Sequence, residues 1–171
     1  RFGEVDPVGE IGLDYAGTVG REAQLRIFRE QLDWAERLGK PVVLHCVKAF
    51  EAVMRELAPH ALRAVIFHGF IGSPEQARRA VGKGYYLSFG LRAFASPKTL
   101  ESLRETPLSQ LFLETDDSDV PIEEIYARAA KVKGVTPEEL QRATLENYGR
   151  IFTTGPQGQD KAAGTPPLPA R

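Results

Sequence analysis

The sequence predicts an α/β fold in which short buried strands alternate with amphipathic helices. Five short apolar runs are each followed by turn residues and a helical pattern. Two of these runs, Val42-Val43-Leu44 and Val65-Ile66-Phe67, are continuous rather than alternating, which is typical of strands buried on both faces of a parallel sheet. Strands and helices that alternate in this way form βαβ units with right-handed crossovers. The predicted strands are 8–13, 41–46, 64–70, 85–89 and 111–114.

Capping signals predict where the intervening helices begin and end. From 21 to 38, apolar residues recur at spacings of three and four, and Gly39 then ends the helix. Ser73-Pro74-Glu75-Gln76 and Thr136-Pro137-Glu138-Glu139 are capping boxes with proline at the first helical position. Ser96-Pro97 predicts a third start, and Pro121 is expected to begin a helix that runs to Lys133.

Two architectures fit this order of elements: an open doubly wound sheet and a (β/α) barrel. A full barrel takes roughly 250 residues, so the five strands of this 171-residue chain predict an incomplete one. We expect one domain over residues 1–152. Residues 153–171 are rich in glycine and proline without a periodic apolar face. They cannot bury enough surface to offset their ordering entropy, so we expect a disordered C-terminal tail.

Composition excludes several classes of protein. With 22 basic and 23 acidic residues the formal net charge is -1, so a protein that coats DNA through global attraction is not expected. A nuclease is still compatible with this net charge, because it needs positive charge only at its active site. A single cysteine cannot form an internal disulfide, and no apolar run approaches the roughly 20 residues of a membrane span. The N-terminus has no signal-peptide pattern, so we expect a cytoplasmic protein.

Four ionisable residues occupy equivalent places in successive βα units. Glu10 lies in the first strand, His45 and His68 end the second and third, and Asp116 follows the fifth. The carboxyl ends of parallel strands share one face, which holds the active site in both candidate architectures. Imidazole and carboxylate together suit zinc or manganese. The sequence therefore predicts a metal site made by these four side chains.

Each of these residues also has a purely structural interpretation. A lone histidine at a strand end is more often structural than a ligand, Glu10 could pair with an arginine, and Asp116 could cap a helix. Their common position favours the metal site over three separate explanations. The third histidine, His60, is expected at the surface, and Cys46 is expected to be a buried structural thiol.

The motif Gly9-Glu10-Ile11-Gly12-Leu13-Asp14-Tyr15 resembles the signature strand of the TatD family of metal-dependent deoxyribonucleases. The resemblance extends over residues 7–152. Further segments that resemble the family, in order, are 24–35, Pro41-Val42-Val43-Leu44-His45-Cys46, His68-Gly69-Phe70, Leu113-Glu114-Thr115-Asp116 and Asn147-Tyr148-Gly149-Arg150-Ile151-Phe152.

The resemblance implies a TIM-like barrel that holds two divalent metal ions (zinc, magnesium or manganese). It implies that Glu10 bridges both ions, that His45 and His68 bind the second, and that Asp116 binds the first. Asp116 and Glu10 would then be the catalytic residues, with Asp116 orienting or deprotonating the attacking water. The implied reaction is hydrolysis of phosphodiester bonds in DNA, in single strands or from an end.

The chain departs from the family pattern in ways that leave alternatives open. The family begins with a strand carrying a His-x-His pair and then a second βα unit, and this sequence starts just before the expected third strand. It is either a fragment or a shorter protein. The alternatives are therefore an amidohydrolase-like enzyme acting on another ester or amide, and a catalytically degenerate partner or scaffold. In addition, Asp117-Ser118-Asp119 stands where the family often has Ser-Pro, and Val47 where it often has arginine.

Overall fold

A computed structural model describes residues 3–154 of the chain. Its strands are β1 (Gly3–Glu4), β2 (Val8–Asp14), β3 (Val42–Val47), β4 (Val65–Phe67), β5 (Tyr86–Phe89), β6 (Leu111–Leu113) and β7 (Thr153–Thr154). Its α-helices are α1 (Arg21–Leu38), α2 (Phe50–Leu57), α3 (Pro74–Gly82), α4 (Pro97–Glu105), α5 (Ile122–Lys133) and α6 (Pro137–Phe152). All five strands predicted from the apolar runs are present, within a few residues at either end.

Five of these strands form one parallel sheet in the order β2-β3-β4-β5-β6. Every strand lies beside its neighbour in sequence, and each connection carries a helix. A doubly wound sheet reverses its strand order at a switch point, whereas this order runs in one direction, as in the wall of a (β/α) barrel. The α/β, TIM-type class is therefore confirmed. Within residues 3–154, β2 and β6 are paired on one side only.

The helix signals in the sequence act as predicted. Helix α1 has the bounds that its apolar spacing predicts, and Gly39 ends it in the left-handed conformation with φ of 61°. Ser73 and Thr136 accept hydrogen bonds from the third residue of α3 and α6, and both capping boxes are complete. Ser96 caps α4 through the amide of Thr99. None of the helices in residues 3–154 combines the length and apolarity needed to cross a membrane.

Both faces of the sheet are buried over its middle. The helix-facing side carries Leu44, Phe67 and Leu87 in the main apolar core. The opposite face carries a smaller cluster that includes Ile66 and Tyr86, against which Val43 packs. Burial on both faces explains why the strands read as continuous apolar runs.

The last helix is held against the sheet by the motif Asn-x-x-Arg. The fully buried amide of Asn147 donates to the carbonyls of Leu108 (2.8 Å) and Leu111 (2.8 Å). The guanidinium of Arg150 donates to the carbonyl of Ser109 (2.8 Å) and to the Asn147 amide oxygen. These contacts fix α6 to the start of β6, so the motif positions the strand that leads into the predicted site.

The first two residues of the predicted tail belong to the folded domain. Thr153–Thr154 pairs antiparallel with Gly3–Glu4, and Arg63 donates to the carbonyl of Thr153 (2.9 Å). A two-residue strand leaves no periodic pattern, so the sequence boundary at 152 fell two residues early. The rest of the predicted tail, residues 155–171, lies outside the described residues.

Candidate metal centre

The alternation of side chains along the strands collects polar residues on one face of the sheet. Val43, Ile66, Tyr86 and Phe112 belong to, or pack against, the smaller apolar cluster. Side chains repeat every second residue along a strand, so the residues two positions further along lie on the same face near the strand ends. Those residues are His45, His68, Ser88 and Glu114.

Glu10 reaches this face because β2 contains a bulge. Gly9 is aligned with Val43 and Ile11 with Leu44, so Glu10 is the extra residue between them. A bulge leaves one residue unpaired and redirects its side chain, and bulges are common beside active sites. Gly12, two residues on, has φ of 147°, and a Cβ there would meet the carbonyl oxygen of His45 at 1.9 Å. The two glycines of the motif therefore let β2 pass close to β3.

His68 is the centre of a cluster of carboxylates. It follows β4 directly, and its amide donates to the carbonyl of Leu44 (2.8 Å). Its Nε2 lies 3.5 Å from Glu10 Oε1 and 3.5 Å from Asp116 Oδ1. His68 thus lies within reach of two other residues that the sequence predicted, Glu10 and Asp116, across more than a hundred positions of chain.

Asp116 adopts a backbone conformation that few residues accept. Its φ is 49°, in the left-handed region where aspartate and asparagine are enriched among non-glycine residues. Its side chain is 55% exposed and that of Glu10 is 49% exposed. Both carboxylates are therefore accessible to a ligand from solvent.

Glu114, which the sequence analysis did not assign a role, contacts the other ring nitrogen of His68. Its Oε2 lies 2.9 Å from His68 Nδ1 and accepts a hydrogen bond from the Ser88 hydroxyl (2.5 Å). Burial raises the pKa of the Glu114 carboxyl, while the hydrogen bond from Ser88 and the charge of His68 act in the opposite direction. Glu114 and Ser88 thus hold the imidazole with Nε2 facing Glu10 and Asp116.

Part of a signal for both residues was present in the sequence. Glu114 directly follows the apolar strand β6, and Ser88 is a polar residue within the apolar strand β5. A polar side chain in a buried strand requires a partner, so each residue called for a partner without identifying it. The register that brings them together could not be read from sequence spacing.

His45 lies in the same cavity as the cluster but apart from its contacts. The cavity has a volume of ≈ 1330 Å³, and Glu10, His45, His68, Glu114 and Asp116 all line it. Within residues 3–154, His45 makes no hydrogen bond or ion pair with the other four. The structure therefore brings all four predicted residues to one cavity and places Glu10 and Asp116 each beside His68.

The donor set fits a divalent cation. Ligand bonds of about 2.0–2.2 Å in tetrahedral geometry place neighbouring donor atoms about 3.3–3.6 Å apart, which matches the two 3.5 Å separations around His68 Nε2. One donor atom each of His68, Glu114 and Asp116 also lies within 4.8 Å of the others. Glu114 Oε1 is buried without a hydrogen-bond partner. A cation would offset the repulsion among these crowded carboxylates.

The sequence also predicted the environments of Cys46, which lines the cavity, and His60, which does not. Cys46 is half-buried, and burial raises the pKa of its thiol to about 11, so it is protonated at neutral pH and unsuited to nucleophilic attack. His60 is not a surface residue as expected: its side chain is only 11% exposed, and Nδ1 lies 2.6 Å from Glu36 Oε2. The carboxylate of α1 draws this imidazole onto the helix, outside the metal cavity.

Comparison with known proteins points to one family. The family model described as TatD related DNase matches residues 2–153. A metal-dependent hydrolase of Escherichia coli, YjjV, is 32% identical over 89% of this chain and 65% of its own length. A human protein named deoxyribonuclease TATDN3 is 29% identical over 85% of this chain and 59% of its own length. The chain thus spans less than two thirds of the length of these relatives.

Solved structures agree with this match. The crystal structure of Escherichia coli YjjV, described as a TatD homolog, superposes with a TM-score of 0.77 at 32% identity, over 85% of this chain and 63% of that one. A TatD-family hydrolase from Entamoeba histolytica shares the fold, with a TM-score of 0.73 at 17% identity over 85% of this chain and 62% of that one. With the fold, the cluster of histidine and carboxylate side chains and a family match over nearly the whole described chain, this protein belongs to the TatD family of metal-dependent hydrolases.

Proposed function

We propose that this protein hydrolyses phosphodiester bonds in DNA with the help of divalent metal ions. The observation that carries the proposal is the placement of His68 Nε2 at 3.5 Å from both Glu10 and Asp116, at the strand ends and inside a large cavity. The family includes relatives named deoxyribonucleases, which supports DNA as the substrate.

Glu10, His68 and Asp116 would hold one ion. A divalent cation in such a site lowers the pKa of water and stabilises negative charge on phosphoryl oxygens. His45 lies in the same cavity, and we propose that it serves a second ion together with Glu10. Asp116 is half-exposed beside His68, and we propose that its carboxylate orients the attacking water and accepts its proton.

The lining of the cavity suits an anionic substrate despite the net charge of -1 for the whole chain. Exposed cations surround the acidic cluster, and Arg21 also stacks on Tyr15, with the guanidinium 4.4 Å from the ring centroid. Local cations can bind a phosphate chain without a basic protein. The basic residues that line the cavity are Arg21, Lys48, Arg55, Arg92 and Lys98.

The test is release of nucleotides from labelled single-stranded DNA by the full-length protein. We expect hydrolysis with manganese, magnesium or zinc and none in the presence of a chelator. Glu10→Gln and His68→Ala should each reduce kcat/KM by more than about 100-fold, since even residues that only support metal ligands are worth 10–100-fold.

His60→Gln is the matched control, because this histidine lies outside the metal cavity, against Glu36. It should leave kcat/KM within about twofold. Wild-type rates in both Glu10→Gln and His68→Ala would reject the assignment. Cleavage of an amide or an unrelated ester but not of DNA would place the protein with the amidohydrolase-like enzymes instead.

A further inference from the structure

A second depression adjoins the metal cavity on the side of the domain. The second depression, of ≈ 500 Å³, lies between α2 and α3 and is lined by seven residues. Two of them, Glu51 and Arg55, also line the metal cavity. The two spaces therefore share a wall formed by α2 and lie side by side. The remaining five residues of the second depression are Met54, Arg78, Arg79, Gly82 and Lys83.

Most of the charge in this depression is positive. Four cations line it, against the single carboxylate of Glu51. Glu51 is occupied by Arg79, whose two terminal nitrogens donate to its oxygens at 2.5 and 3.0 Å. This pairing lowers the pKa of Glu51. The same guanidinium lies 5.4 Å from the ring centroid of Phe50, so Arg79 is anchored to α2.

Two cations remain available for a ligand. Arg78 is paired with Glu105 of α4 (2.6 Å). Arg55 and Lys83 are exposed, and among residues 3–154 neither has a carboxylate within 4.0 Å. An exposed cation with no ion-pair partner loses little when it binds a phosphate, because no existing pair must be broken.

We propose that Arg55 and Lys83 form a track that binds the phosphate backbone of the substrate strand beyond the scissile phosphate. The inference rests on the proposed function, because only a polyanionic chain held at the metal cavity would continue into the second depression. Arg55 lies at the shared wall and Lys83 at the end of α3. Both would act as specificity-determining residues that favour single-stranded oligonucleotides over substrates with one phosphodiester. Tracking a backbone through a basic groove is a common way to bind single strands.

The experiment compares three double variants of the full-length protein. Arg55→Gln with Lys83→Gln removes the track, and Arg55→Lys with Lys83→Arg keeps its charge. Arg26→Gln with Arg142→Gln removes the same charge from exposed positions that line neither space. Fluorescence anisotropy measures the binding of a fluorescein-labelled oligonucleotide of about twelve nucleotides. The titrations are done in the presence of a chelator, at salt concentrations from about 50 to 200 mM. Hydrolysis is measured with that oligonucleotide and with bis(p-nitrophenyl) phosphate.

We expect the glutamine track variant to bind the oligonucleotide about tenfold more weakly than the wild type. The slope of log K against log salt should become about 1.4 less steep, because each of the two lost phosphate contacts contributes about 0.7 on a single strand. Its KM for the oligonucleotide should rise while kcat stays within about twofold. Its kcat/KM for bis(p-nitrophenyl) phosphate should fall by a much smaller factor than its kcat/KM for the oligonucleotide, because the small substrate does not reach Lys83. The charge-keeping variant should bind like the wild type, and the Arg26 and Arg142 control should keep the wild-type slope.

An unchanged salt slope in the glutamine variant, or an equal loss in the control variant, would overturn the track. So would an equal loss in the charge-keeping variant, since the effect would then not depend on charge. Absence of hydrolysis of both substrates by the wild type would reject the proposed function, while the anisotropy data would still decide whether the track binds a strand.

Discussion

The imidazole of His68 is held from both sides by carboxylates of different character. Glu114 is 14% exposed and contacts Nδ1, whereas the half-exposed Glu10 and Asp116 face Nε2. Metal-binding histidines commonly donate their second ring N–H to a carboxylate, which fixes the tautomer and the orientation of the ring. Glu114 is therefore best understood as a positioning residue, with Ser88 fixing it in turn.

Glu114→Gln should reduce metal affinity by about 10–100-fold, because the amide keeps the shape of the side chain but loses its charge. Isothermal titration with zinc or manganese measures the effect, and Ser88→Ala should give a smaller loss in the same direction. Equal metal affinity in Glu114→Gln and the wild type would show that His68 does not need this partner. A thermal melt of each variant separates loss of affinity from loss of fold.

At this scale the sequence indicated the clustered side chains better than the residues that position them. Glu10, His68 and Asp116 were singled out because an ionisable group in or after an apolar strand is unusual, and the structure places His68 beside both carboxylates. Ser88 and Glu114 were missed because their contact depends on the register between β5 and β6. Register follows from the packing of whole strands and not from local spacing.

Among the elements, β2 depends most on its glycines. A Cβ on Gly12 would lie 1.9 Å from the His45 carbonyl oxygen, and its φ of 147° is rarely adopted by other residues. The bulge that turns Glu10 into the cavity lies directly before it. The close approach of β2 to β3 and the exposure of Glu10 are thus parts of one local arrangement.

Gly12→Ala should lower the free energy of unfolding by about 3 kcal/mol, from backbone strain and the clash with His45 together. Gly149→Ala is the matched control, because this glycine lies inside α6 and a Cβ there meets nothing within 4 Å. It should stabilise the protein by about 0.5–1 kcal/mol. Guanidinium unfolding measures both changes, and equal stability of the two variants would contradict this account of β2.

The predictability of the elements follows their length. Helix α1 was predicted with its observed bounds because its 18 residues carry a clear apolar spacing and a glycine end signal. Strands β1 and β7 were missed because two residues contain no period at all. The sequence left open whether the strand order runs in one direction, as in a barrel, or reverses, as in a doubly wound sheet. That order depends on which strands pair and not on where they lie in sequence.

Across the whole molecule, function arises from the way in which the parallel sheet gathers distant residues. The ends of β4 and β6 and the bulge of β2 bring His68, Glu114, Asp116 and Glu10 into one cavity. Five acidic and five basic residues line that cavity. The candidate metal centre is therefore acidic, and we propose that the exposed cations beside it attract phosphate. The near-zero charge of the chain as a whole conceals this local arrangement.

The most direct test of the central claim is anomalous diffraction from crystals of the full-length protein soaked in manganese. The account predicts an anomalous peak about 2.0–2.3 Å from His68 Nε2 and from one carboxylate oxygen each of Glu10 and Asp116. The peak should vanish in Glu10→Gln crystals grown under the same conditions. A peak that does not contact His68, or the absence of any peak in this cavity at saturating manganese, would contradict the assignment.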